Sequence, residues 1–388
     1  MHSAAIIPAI LIVCALYYSA VQTSLLLGLR NLPPGKMKNR PSVSVIVAAR
    51  NEERTIGRLL DALSGQTFRP HEIIIADDRS DDRTARIVSD HQKQDGRIHV
   101  CTITDVPEGI SPKKNALKTA IDSSSGEILC FTDADCLPGP RWVESLAAMF
   151  DETTGLVAGY SPYDRQLQPK WSLWTGLRTI WKELFLGFVE YEELKGAVWS
   201  AGSIGLRRGW LCTGRNLAYR HAVYDEVGGF ESIKRSLSGD DDLFLQQVRR
   251  RSKWGIAYCV SPDSFVRTAP PPSFGSFVRQ RRRHFSAGKY FTPGMKLFFL
   301  LFHGANLALL AGFVLFLIHP PTHLVAFAAF LSKVLIDTLL FLASSDLFGR
   351  ISVGSSFFLM EILYILYNTL IGPLGFVGTI KWNRDAAR

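Results

Sequence analysis

The chain of 388 residues is 47% hydrophobic and 20% charged, which excludes a disordered polymer and leaves room for two domains. Lys plus Arg number 44 against 35 Asp plus Glu, a net charge of +9 that suits nucleic acid, a nucleotide substrate or an anionic membrane surface. Cys14, Cys101, Cys130, Cys136, Cys212 and Cys259 show no CxxC pairing and no metal spacing, so the polar part reads as lying in a reducing compartment.

The apolar residues are unevenly spread. Residues 4–29 form a 26-residue run without charge, and about 20 apolar residues suffice to cross the hydrocarbon core. No basic residue precedes the run, and it is long for the apolar part of a signal peptide. It therefore reads as an uncleaved membrane anchor. Pro33-Pro34-Gly35 then serves as a linker.

Beyond the linker, strand and helix signals alternate. Strands are predicted over residues 42–49 (SVSVIVAA), 71–78 (HEIIIADD), 97–104 and 127–135 (EILCFTDAD), with helices over 52–63, 84–94 and 113–121. Strand starts recur every 26 to 30 residues, the length of a βα unit, and such units build a parallel sheet covered by helices. Ligands of open α/β sheets sit beyond the carboxyl ends of the strands. Two of those ends are acidic.

Asp77-Asp78 can accept hydrogen bonds from a base or from ribose hydroxyls, or can belong to a helix cap that Asp81, Asp82 or Thr84 completes. Lys113 and Lys114 open a helix after Ser111-Pro112, a position that suits a phosphate or simply a solvated pair. Asp133-x-Asp135 precedes a turn predicted over residues 137–140. Two carboxylates can hold Mg²⁺ or Mn²⁺ and leave other positions to substrate phosphates, though two solvated acids would look the same. Beyond residue 150 the pattern loosens. Residues 171–198, rich in Trp, Phe and Leu, fit either an amphipathic helix in the membrane interface or a helix packed on the sheet.

Asp240-Asp241-Asp242 precedes an apolar helical run. Adjacent carboxylates repel, so one can have a raised pKa and serve as a base, or all three can favour the helix N-terminus. Gln280-Arg-Arg-Arg283-His284 can touch anionic lipid or clamp a diphosphate. Three more spans are predicted over residues 297–318, 324–344 and 355–380, with a turn at 345–354. Within them Lys333 and Asp337 stand four apart and can pair, while Glu361 sits alone. Ionisable groups at that depth face protein or a wet cavity, so they form either a structural pair beside a protonated glutamate or the border of a groove for a lipid substrate. Lys and Arg flank the first two spans on the side of the long polar segment, which places that segment in the cytoplasm.

Taken in order, the motifs at 44–53, Asp77-Asp78, Lys113, Asp133-x-Asp135, Asp240–Asp242 and Gln280-x-x-Arg283-His284 resemble an inverting, membrane-integrated family 2 glycosyltransferase. The resemblance implies an α/β fold class, the GT-A nucleotide-sugar (Rossmann-like) domain with a mainly parallel sheet, plus about four transmembrane helices. It divides the chain into an anchor (1–30), a cytoplasmic catalytic domain (31–290) and C-terminal transmembrane helices (291–388). It further implies that Asp77 and Asp78 bind the nucleoside, that Lys113 lines the nucleotide pocket, and that Asp135 with Asp133 holds Mg²⁺ or Mn²⁺. Asp241 is the preferred base, with Asp240 and Asp242 as alternatives. Gln280 and Arg283 would contact the diphosphate and the acceptor. His284 stands where the family has tryptophan, and Arg79 stands where it often has glycine. The implied partners are a nucleotide-sugar donor such as a UDP-sugar, a lipid or lipid-linked acceptor and the membrane, with no nucleic acid. A processive polysaccharide synthase and an inactive membrane scaffold of the same fold are the alternatives.

Overall fold

The computed structural model describes residues 2–37, 40–167, 177–320, 324–349 and 356–378. Helix α1 (His2–Arg30) contains the predicted anchor. β1 (Val43–Ala49), α2 (Ile56–Ser64), β2 (Glu72–Asp78), α3 (Thr84–Gln94), β3 (Ile98–Ile103), α4 (Pro112–Asp122) and β4 (Ile128–Phe131) then keep the expected alternation. The acidic pair at 133 and 135 lies beyond β4, not on it. The predicted turn after that pair contains strand β5 (Cys136–Pro138), because its backbone finds an antiparallel partner more than a hundred residues away in Val266–Thr268.

After α5 (Trp142–Ala147) and β6 (Thr154–Gly159) comes the 29-residue helix α6 (Leu177–Gly205). The chain continues through β7 (Leu217–Arg220), α7 (His221–Glu226), α8 (Asp242–Arg251), β8 (Gly255–Cys259), β9 (Val266–Thr268) and α9 (Phe274–Ser286). It closes with α10 (Pro293–Ile318), α11 (Leu324–Phe348) and α12 (Phe357–Leu370). α11 runs through Ser345 to Phe348, so the start of the predicted turn is helical.

Seven strands form one sheet in the order β3-β2-β1-β4-β7-β6-β8. The first four are mutually parallel, and β7 runs antiparallel to both its neighbours. Both faces are covered, which is why β1 and β2 read as continuous apolar runs. Val43, Val45 and Val47 pack towards α2 and α5, while Ile46 and Ile74 pack towards α4.

α6 does not lie alone in an interface, and it packs on α1 as well as on the sheet. Gly28 and Gly205 meet where a Cβ on Gly205 would stand 1.9 Å from the Gly28 carbonyl oxygen, and a Cβ on Gly28 would stand 2.0 Å from that of Gly202. Two backbones this close leave no room for any side chain. Gly205→Leu is therefore expected to cost at least the 1–3 kcal/mol usual for overpacking. A thermal melt of the purified protein would show it, and an unchanged midpoint would refute the close crossing.

α1, α10, α11 and α12 are long and apolar enough to cross a membrane, with α12 continuing into a 3-10 turn at Gly372–Gly375. α10 and α11 form a hairpin, with Phe313 stacked on Phe330 at 4.4 Å. Phe348, the last residue of α11, meets Tyr160 and Tyr258 of the α/β body. α12 starts near the Phe313–Phe330 pair and ends where Gly375 touches Phe285 of α9. Both flanks of this last apolar segment thus meet the same body.

Between these helices lies a buried polar network. Lys333 Nζ is 2.6 Å from Asp337 and 2.5 Å from Glu361, and Lys195 Nζ of α6 is 2.8 Å from Glu361 and 3.6 Å from Asp337. Tyr18 donates to Asp337 at 2.8 Å, Gln22 donates to it at 2.6 Å, and Tyr191 donates to Glu361. Glu361, expected to sit alone, is shared by two lysines. Two cations and two carboxylates balance, and the side chains fill the space in which a groove was one of the expectations.

Candidate active site

One side of the site is built on the ends of β1, β2 and β4. Asp77 and Asp78 are the last two residues of β2, and both are buried. Asp77 Oδ1 has no hydrogen-bond partner among the described residues, which leaves an acceptor for a ligand N–H or O–H. Asp78 takes the Arg79 Nε–H at 2.8 Å. Arg79 sits at φ 56°, a left-handed conformation that glycine adopts without strain. Its ion pair with Asp78 helps hold that conformation. Asn51, also at φ 56°, joins the β1 and β2 loops through Ser80 at 3.0 Å and Asp81 at 2.9 Å.

α4 starts at Pro112, with the Ser111 side chain as cap. Its Lys113 Nζ lies 3.0 Å from both Asp133 Oδ1 and Asp240 Oδ2. Burial works against the ammonium, but Asp133 and Asp240 outweigh it and hold the Lys113 pKa above the usual lysine range. Burial likewise works against Asp240, and Lys113 and Lys114 overcome it, so Asp240 stays below the ordinary carboxylate value.

Lys114, which sequence reasoning left as one of a pair, donates to the carbonyls of Ser236 at 2.5 Å and Ser238 at 2.9 Å. Burial lowers its pKa to about 8. It pins the loop that turns at Gly239, φ 85°, into the three aspartates.

Asp133 and Asp135 are half-buried on the β4–β5 loop. Asp135 Oδ1 accepts only a weak contact from the Cys136 thiol at 3.7 Å. Among the described residues no cluster of three or more His, Cys, Asp or Glu could enclose a metal. Two carboxylates without a cage fit a cation that shares its coordination with substrate phosphates.

The three aspartates part company. Asp240 faces Lys113, whereas Asp241 and Asp242 line a cavity of about 160 Å³. Asp241 caps α8 by accepting the Asp242 N–H at 2.7 Å and also accepts the Gly214 N–H at 2.9 Å. Burial and then the Asp240 charge raise its pKa. Asp242 accepts the Cys212 N–H at 2.7 Å, and burial with the Asp241 charge pushes its pKa well above the usual range.

The opposite wall comes from α6, α9 and the loop before β7. Glu192, Glu193, Arg215, Arg281 and His284 line it. Arg215 pairs with Glu193 at 2.6 Å, and Arg281 pairs with Glu192 and, at 3.3 Å, with Glu193. His284 is exposed at the cavity, with its Nδ1 3.3 Å from Arg281 Nη1. Partial loss of solvent, with Arg283 and Arg281 beside it, holds its pKa well below the usual imidazole value. Of the predicted α9 residues only His284 reaches the lining. Arg283 is half-buried outside it, and Gln280 keeps a buried Oε1 without a partner. Arg215, Glu192 and Glu193 were not foreseen. The signal available was the close run of Glu190, Glu192 and Glu193 in the middle of a mostly apolar helix.

The sequence model described as "Glycosyl transferase family 2" matches residues 44–211. "Probable glycosyltransferase YdaM" of Bacillus subtilis (strain 168) is 26% identical over 275 residues, covering 67% of this chain and 59% of that protein. The "GalNAc(5)-diNAcBac-PP-undecaprenol beta-1,3-glucosyltransferase" of Campylobacter jejuni subsp. jejuni is 34% identical over 95 residues, 24% of this chain and 30% of that protein. The chain thus spans less than two thirds of either relative. The solved structure of the mannosyltransferase PcManGT from Pyrobaculum calidifontis, in complex with GDP-Man and Mn²⁺, superposes with a TM-score of 0.54 at 19% identity. That match covers 95% of this chain and 96% of the other, so the fold is shared. Residues 44–211 match glycosyl transferase family 2, and the α/β body that contains them has the GT-A fold, in a chain whose described residues include four helices long and apolar enough to cross a membrane.

Proposed function

We propose that the protein is an inverting glycosyltransferase that moves one sugar from a nucleoside diphosphate donor, a UDP-sugar, to an oxygen of a lipid-like acceptor at the cytoplasmic face of a membrane. The observation that carries this reading is the division of the acidic groups. Asp77, Asp78, Lys113, Asp133 and Asp240 gather on the donor side, while Asp241 opens into a cavity whose walls, Tyr160 and Tyr258, rest on Phe348 of a membrane helix. The mannosyltransferase solved with GDP-Man and Mn²⁺ and the relative named for an undecaprenol-linked acceptor support the donor and acceptor classes.

Asp77 and Asp78 would bind the nucleoside, with the unpaired Asp77 Oδ1 as the open acceptor. Lys113 would line the nucleotide pocket. Asp135, with Asp133, would hold Mg²⁺ or Mn²⁺. When bound, such a cation offsets the charge that grows on a departing diphosphate. Gln280 and Arg283 would contact diphosphate and acceptor, with His284 on the cavity wall. Asp241 takes the proton of the acceptor oxygen as that oxygen bonds to the anomeric carbon and the bond to the diphosphate breaks. One displacement inverts the configuration.

The test is incubation of the purified full chain with a panel of nucleotide sugars and a lipid extract, read by mass spectrometry. A glycosylated lipid is expected, and no sugar transfer from any donor would overturn the reading. EDTA is expected to abolish transfer, and Mn²⁺ or Mg²⁺ to restore it. Asp135→Asn is expected to remove most activity with an unchanged melting profile. Full turnover by the metal-stripped protein would end the metal assignment.

A further inference from the structure

The cavity beside Asp241 contains two guanidinium groups, and both are already committed. Arg215 and Glu193 each expose 12% of their side chains and lie 2.6 Å apart. Arg281 exposes 6% and is held between Glu192 and Glu193. Tyr367 donates to Glu192 at 3.0 Å from the membrane side, which fixes the carboxylate further. The remaining basic group on the wall, His284, stands with its Nδ1 3.3 Å from Arg281 Nη1, a neighbour that disfavours a second cation there. Every cation in the lining therefore has a carboxylate partner, and Asp241 adds negative charge without one.

We propose that Glu192 and Glu193 are specificity-determining residues that make the acceptor an uncharged hydroxyl head group and exclude a lipid phosphate. This deepens the glycosyl-transfer reading and rests on it. A phosphate needs charge-assisted donors, ideally a free guanidinium fork. To obtain one here it would have to pull Arg215 or Arg281 from a buried carboxylate, which would then stand uncompensated. It would also meet Asp241 at close range. A hydroxyl asks for nothing of the kind. It can donate to a carboxylate and accept from guanidinium N–H groups that the ion pairs leave over.

Saturation-transfer NMR on the full chain in zwitterionic nanodiscs tests this with two soluble probes, hexyl β-glucoside and hexyl phosphate. In the wild-type protein, saturation transfer above empty nanodiscs is expected for the glucoside and not for the phosphate. Glu193→Gln, which strips Arg215 of its partner, is expected to tighten hexyl phosphate binding at least about tenfold, and Glu193→Asp to reverse that gain. Wild-type protein that binds the phosphate as tightly as the glucoside would overturn the assignment, as would a folded Glu193→Gln protein with unchanged phosphate affinity. If Glu193→Gln does not fold, the wild-type comparison decides alone. The measurement needs no donor, so failure of sugar transfer refutes the enzyme reading separately. A phosphate-preferring protein that still transfers sugar refutes only the acceptor assignment.

Discussion

Asp241→Asn is expected to lower turnover by at least about 10²-fold, the usual size of a general-base contribution, with nucleotide-sugar affinity largely kept. The geometry makes this a clean substitution. Asparagine caps helices as well as aspartate, so the bond to the Asp242 N–H at 2.7 Å survives and the start of α8 holds. What is lost is the proton-accepting oxygen. Burial and the Asp240 charge raise the Asp241 pKa and so its basicity, while burial and the Asp241 charge raise that of Asp242 well above the usual range. Asp240 faces Lys113, so Asp240→Asn should weaken donor binding more than the chemical step. Single-turnover rates and donor affinities for the three variants separate these roles. A large rate loss in Asp242→Asn with Asp241→Asn near wild type would move the base by one residue.

Glu361→Leu is expected to destabilise the protein by about 3–5 kcal/mol, the cost of removing one partner from a buried ion pair. Lys333 and Lys195 would be left with Asp337 alone, at 2.6 and 3.6 Å. The double replacement Glu361→Leu with Lys333→Met should recover part of the loss, because one cation and one carboxylate then remain. Thermal melting in nanodiscs measures both. Because protein side chains fill this region, the acceptor KM of any surviving Glu361→Leu protein should not move. A raised KM without loss of stability would restore the idea of a lipid groove at this depth.

The parallel half of the sheet was legible because its strands are buried on both faces. SVSVIVAA and HEIIIADD leave little choice of element, and their spacing demands crossover helices. The carboxylates of β2 and the Lys113 position were legible for the same reason, since strand ends and helix starts are local signals. The end of β4 was not, because β5 exists only through its pairing with β9. The partners of Glu361 were hidden too. Lys195 lies 166 residues away, in a helix whose close approach to α1 depends on glycines as well as on its buried apolar side chains. Arg215 and Glu193 became readable as a site only once that helix was seen to form a cavity wall.

The buried network between the apolar helices also bears on how the chain is made. Tyr18 and Gln22 belong to α1, Lys195 to α6 and Glu361 to α12, so the network joins segments made far apart in time. α11 carries Lys333 and Asp337 into hydrocarbon as a charged hairpin arm that finds full compensation only when α12 has been synthesised. Completion of the network is thereby deferred until α12 joins the other helices. A chain lacking Glu361 leaves one lysine among these apolar helices without a carboxylate of its own, a costly state that the finished protein does not carry.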